Sequence, residues 1–120
     1  MDKKTDAKES ITMITAKMLK DAEFSEYYVE LFEAICPGGM KIGSADQDRA
    51  ERAWLDTDRM FEELRLTGAT TLWHEDGDRE IAHVIHYRRG QRFDFPDGTA
   101  GFRTWDKFAR PVCEMHYRDD

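Results

Sequence analysis

The stretch that decides the fold is "ATTLWHEDGDREIAHVIHY", residues 69–87, followed directly by "RRGQRFDF", residues 88–95. Asp76-Gly77 sits between two runs rich in Thr, Ile, Val and aromatic residues, a strong signal for a two-residue hairpin turn. With such a loop, Leu72 faces Ile81 and Trp73 faces Glu80. Arg89-Gly90 turns the chain a second time, which sets His86 opposite Phe93 and Val84 opposite Phe95. Alternation along the middle strand sends Ala82, Val84 and His86 to one face and Ile81, His83, Ile85 and Tyr87 to the other. His83 and His86 therefore diverge and cannot share a metal ion on a regular strand.

Upstream of this sheet the pattern is helical. From about Asp6, with Glu9 completing a capping-box pattern, to Ile35, two apolar stripes succeed each other: Ile11, Ile14, Met18, Ala22, then Phe24, Tyr28, Leu31, Phe32, Ile35. The second is rotated from the first, so a bend or break is expected between Lys20 and Ser25. "CPGG" (36–39) stops the helix. Ser44 and Gln47 mark the next start. Ala50, Trp54, Thr57, Phe61 and Leu64 form its buried stripe, and Gly68 its end. Downstream of "FPDG" (95–98), Phe102, Trp105 and Phe108 share a side if "RTWDKFA" (103–109) is a short helix. "VCEMHY" (112–117) alternates as a last strand. The expected fold is a single α+β domain, residues 1–120, with two or three N-terminal helices packed on an antiparallel sheet of about four strands and a short helix before the last strand.

The chain has 120 residues, 36% of them charged, and a formal net charge of −7. That balance argues against direct nucleic-acid binding. No uncharged run approaches the roughly 20 apolar residues of a membrane helix, and the polar start "MDKKTDAKES" lacks the apolar centre of a signal peptide. The expected location is the cytoplasm, of the chain's own cell or of a host. Cys36 and Cys113 are far apart and read as two buried reduced thiols. Cys36 before Pro37 is an alternative nucleophile without a marked base. The spacing of His74, His83 and His116 is too generic to specify a metal site, and no metal or cofactor is expected.

Two charged surfaces stand out. Between Asp21 and Met40 there are five acids and no Lys or Arg; Glu23, Glu26, Glu30 and Glu33 fall on one helical face. Arg88, Arg89 and Arg92 gather at the second turn beside Tyr87. Complementary charge speeds encounter and selects partners. The expectation is therefore a small acidic interaction protein, of the inhibitor, immunity or phage anti-defence kind, that binds another protein, one with a basic surface, through Glu23, Glu26, Glu30, Glu33, Tyr87, Arg88, Arg89 and Arg92. A second copy bound through a sheet edge is another partner to consider. The alternative is a small ligand-binding domain or enzyme, with a pocket walled by Trp73, Phe93 and Phe95. There His86 would serve as acid/base, assisted by Asp94 or Tyr28, since burial can move an imidazole pKa across neutrality. Helices followed by a curved sheet make such a pocket in the nuclear-transport-factor-2-like cone folds, an analogy of architecture only.

Overall fold

The computed structural model describes residues 12–74 and 81–117. Its elements are β1 (Met13–Ile14), α1 (Ala16–Asp21), α2 (Glu26–Ile35), β2 (Met40–Lys41), α3 (Ala45–Arg52), α4 (Thr57–Glu63), β3 (Gly68–Trp73), β4 (Ile81–Arg88), β5 (Gln91–Arg92), β6 (Phe102–Trp105) and β7 (Pro111–Met115). The fold is α+β: helices first, then a five-stranded antiparallel sheet ordered β3-β4-β6-β7, with β5 paired to β4. β1 and β2 form a separate antiparallel pair.

Each expected long helix is two short ones. The first breaks where its stripes rotate: α1 ends at Asp21, Glu23 takes φ 66, and Ser25 caps α2 by accepting the Tyr28 N–H at 3.1 Å. Its start differs from expectation, because Ile14 is buried in β1 and Thr15 caps α1. The Asp6–Glu9 capping box lies outside the described residues. The second helix breaks at Trp54, whose φ of 66 is not helical. Asp56 then caps α4 by accepting the Arg59 N–H at 3.1 Å. The break leaves Trp54 exposed and buries Leu55 in its place. Ser44 caps α3 as expected, but through the Asp46 N–H, while Gln47 reaches back to Gly43 N at 2.8 Å. The Asp48–Arg52 pair forms at 2.8 Å.

The core joins both halves. Leu19, Val29, Phe32, Met40, Ala50, Met60 and Phe61 meet Ile85 and Tyr87 of β4, with Phe102 packed against them. The helices thus cover the Ile85/Tyr87 side of the sheet. His86 is on the other side, so it does not face a pocket between helices and sheet as the alternative reading required.

The tip between β3 and β4, with Asp76-Gly77, lies outside the described residues. The register below it pairs Leu72 with His83 and Trp73 with Ile81, across a bulge, rather than with Ile81 and Glu80. At the second turn Arg89 and Gly90 have φ 52 and 83, and Arg88 pairs with Gln91. Two positive φ values are what a type I′ hairpin turn requires. A Cβ on Gly90 would also lie 2.9 Å from Arg65 Cα, so the turn is seated on the end of α4.

The helix expected at 103–109 does not form: β6 runs from Phe102 to Trp105 and a turn follows. Phe102, Arg103 and Thr104 pair with Ile85, Val84 and His83 on one side and with Met115, Glu114 and Cys113 on the other. Val84 is therefore opposite Arg103 and not Phe95. The i, i+3, i+6 spacing of Phe102, Trp105 and Phe108 fits a helix, yet two flanking strands supply the ladder that a helix so short would have to make alone.

Backbone groups on the two sheet edges are treated differently. Alternation leaves Ala69 and Thr71 of β3 pointing away from β4. Gln47 Nε2 donates to Ala69 O at 2.7 Å, and the Thr71 N–H donates to Glu51 Oε2 at 3.0 Å. Two side chains of α3 thus stand in for a neighbouring strand and close this edge. On the other edge, all five residues of β7 are exposed.

Candidate functional site

Three acids of α2 border a groove. Glu26, Glu30 and Glu33 are spaced four and three apart, so they rise from one helical face. With Lys20 they line a groove of about 570 Å³ whose floor is Phe24 and Val29. The floor is firm: the Phe24 ring lies 4.7 Å from that of Tyr28, and the Arg59 guanidinium stands 5.1 Å from the Phe24 centroid. All three acids are exposed while Phe24 and Val29 are buried. Glu23, expected on this face, belongs instead to the link between α1 and α2 and does not line the groove.

Sequence reasoning missed a polar cluster at the helix–sheet contact. Asp58, on the first turn of α4, accepts the Thr70 hydroxyl, lies 3.2 Å from the Tyr87 hydroxyl, and faces His83 Nε2 at 3.6 Å. Glu62 Oε2 is 3.3 Å from the same Tyr87 hydroxyl. Burial alone would raise the Asp58 carboxyl, but the donors from His83, Thr70 and Tyr87 outweigh it and hold the carboxyl below its ordinary range. Burial raises the Tyr87 hydroxyl, and the negative charges of Asp58 and Glu62 push the same way. Tyr87, expected to meet a partner, is fully buried at this contact. Asp56 and Asp58 have separate roles: one caps the helix and the other enters the cluster.

The residues expected to form a pocket are dispersed. The His86 ring lies 4.5 Å from that of Phe95, with Nδ1 2.9 Å from Phe93 O, so the His86–Phe93 pairing holds. Trp73 packs elsewhere, under the Arg52 guanidinium at 4.1 Å. Tyr28 spends its hydroxyl on Asp56 O at 2.6 Å, in the helical layer. Burial and the nearby Asp56 raise that hydroxyl's pKa. Asp94 is buried on the loop after β5, where it accepts the Gly101 and Tyr117 N–H groups at 3.0 and 2.8 Å and pairs with His116 Nδ1 at 3.0 Å. His86, Asp94 and Tyr28 each have a structural partner, and Tyr28 belongs to a different layer from the other two.

The arginines also separate. Arg88 pairs across the strand with Gln91, and Arg92 with Tyr87, so neighbouring positions send Arg88 and Arg92 to opposite faces. Arg88 stands over Phe93 at 4.6 Å and Arg92 over Phe102 at 5.2 Å. A single clamp from Arg88, Arg89 and Arg92 is not what the hairpin builds. The three histidines weighed as metal ligands have separate neighbours: His74 lies at Trp105 O, His83 at Asp58 and His116 at Asp94. Among the described residues no three His, Cys, Asp or Glu side chains gather to hold a metal ion, and no helix is long and apolar enough to cross a membrane.

Cys36 is buried, 3.7 Å from Asp46 O, and burial pushes its thiol above the ordinary range, the reverse of what a nucleophile needs. Cys113 is exposed on β7, contrary to expectation.

The chain matches no family model, no curated protein and no solved structure.

Proposed function

We propose that the protein is a non-enzymatic interaction module, which binds and modulates another protein by taking a basic segment of that partner into the groove of α2. The observation that carries this reading is the joining of an apolar floor, Phe24 and Val29, to a rim of three exposed acids, Glu26, Glu30 and Glu33, that outnumber the one lysine of the groove, Lys20. A Lys or Arg side chain suits both parts, laying its aliphatic stem on the floor and its charged head among the carboxylates. The overall charge of −7 draws cationic partners from a distance. The proposed setting is the cytoplasm, of the chain's own cell or of a host.

The test titrates the full chain with a Lys/Arg-rich amphipathic peptide and with its Glu-substituted counterpart. The basic peptide alone should bind, and added salt should weaken it because the rim is exposed. The variant Glu26→Gln/Glu30→Gln/Glu33→Gln should bind about tenfold more weakly or worse, a loss of about 1.4 kcal/mol. Equal affinity of variant and parent would remove the groove from the function.

A further inference from the structure

The turn between β6 and β7 carries Lys107 and Arg110, the latter paired with Asp106, and so a small net positive charge opposite to that of the α2 groove. Phe108, at its tip, is 65% exposed. An exposed phenylalanine on a loose loop would mean little, but this loop is held. The Asp106 carboxylate accepts the Phe108 N–H at 2.9 Å and the Arg110 N–H at 3.0 Å, and pairs with Arg110 Nε at 2.8 Å. Asp106 N also donates to Arg110 O at 2.9 Å. Two cations flank the ring: Lys107 Nζ lies 5.4 Å and Arg110 Cζ 5.2 Å from its centroid. The turn therefore presents an ordered aromatic knob with a cationic collar.

We propose that the occupant of the groove is this knob on a second copy of the chain. The inference rests on the reading of the groove as a site for a basic segment, and names the partner. Charge complementarity argues for it. Phe108 offers an apolar face to Phe24 and Val29, while Lys107 and Arg110 meet Glu30 and Glu33. The groove of about 570 Å³ has ample room for one aromatic side chain. Because the loop is already ordered, little conformational entropy is lost on docking. Knob and groove are different surfaces, so the contact is heterologous, and a bound pair leaves one groove and one knob unfilled until a ring or reciprocal pair closes.

Sedimentation velocity of the full chain over a range of concentrations tests this. The expected result is reversible association, weakened about tenfold or more by Phe108→Ala, as for a central aromatic anchor. All substituted positions are exposed, so the variants should fold. Glu30→Lys/Glu33→Lys and Lys107→Glu, which leaves the Asp106–Arg110 pair intact, should each be monomeric alone and associate when mixed, since mixing restores opposite charges. A chain that stays monomeric throughout, or whose association survives either charge reversal, overturns the proposal. If the basic peptide still binds the groove while the chain stays monomeric, the groove keeps its function and only the identity of the partner falls.

Discussion

A buried carboxylate, Glu51, and a half-buried one, Asp58, respond to their surroundings in opposite ways. Glu51 accepts Gln47 Nε2, the Thr57 hydroxyl and the Thr71 N–H on one oxygen, at 2.8, 3.1 and 3.0 Å. Burial still wins over these bonds and raises its carboxyl above the ordinary range. Asp58 is held below that range, as its donors prevail over burial. The linkage signs follow. With Glu51 the folded chain holds a proton more tightly than the unfolded chain, so its contribution is full below the unfolded pKa and is lost as pH rises through the folded one. With Asp58 the contribution is present above the unfolded pKa and is lost as pH falls through the folded one. Urea unfolding at a series of pH values should therefore show Glu51→Gln faring better against the parent as pH rises through the carboxylate range. Asp58→Asn should fare worse over the same interval. Two variants with the same pH slope as the parent would refute both assignments. Neither environment was legible in the sequence, because each depends on residues 12 to 29 positions away that only the packing brings in.

At the scale of elements, what the sequence disclosed was local and what it concealed was contact between distant segments. The Arg89-Gly90 turn, the Ser44 cap and the rotation of the two apolar stripes are all written within a few residues. The break at Trp54 is not, since a tryptophan at positive φ carries no turn signature, and Asp56 read as helix interior until it became a cap. β6 misled for a related reason: four residues with mixed spacing suit either helix or strand, and β4 and β7 decide. The acidic groove was legible as a helical face, but its apolar floor needed α1 and α2 to pack. The link from β5 to β6 shows how tight the undisclosed contacts are. A Cβ on Gly101 would fall 2.4 Å from Phe93 O and 2.7 Å from Phe93 C, both backbone atoms that cannot swing aside. The same residue accepts the His86 N–H at 2.8 Å and donates to Asp94 Oδ1 at 3.0 Å. Gly101→Ala must separate these segments and should cost about 2–4 kcal/mol, read as a lowered urea midpoint. The loss should also free the Tyr117 amide that Asp94 accepts, raising its exchange rate. A variant as stable as the parent would contradict the close approach.

Across the whole molecule, the helices close one end of the sheet and leave the other bare. At the β3 edge, α3 satisfies the outward groups of Ala69 and Thr71. At the β7 edge, the His86–Gly101 bond fixes the alternation: Val84 bonds Arg103, Phe102 and Thr104 turn to Met115 and Cys113, and Glu114 is left pointing outward. Val112 is 66% exposed. Local opening is easiest where few apolar contacts must be broken. Amide hydrogen exchange should therefore run as a gradient across the sheet. Ile85, bonded to β3 beneath the helices, should be slowest, and Thr71, although on an edge, should be slowed by Glu51. The Glu114 amide should exchange at close to the unprotected rate in dilute solution. Opening of the β6–β7 hairpin should also occur at a lower free energy than that of β3–β4. The gradient distinguishes a sheet finished within one chain from one whose outer hairpin is left for contact. If Phe108 docks into a neighbouring copy, raising the concentration should slow exchange around residues 106–110 while leaving Ile85 unchanged. Uniform protection from β3 to β7 at low concentration would mean that the hairpin is buttressed as well as the core, and would remove the physical reason for treating it as a surface held ready for a partner.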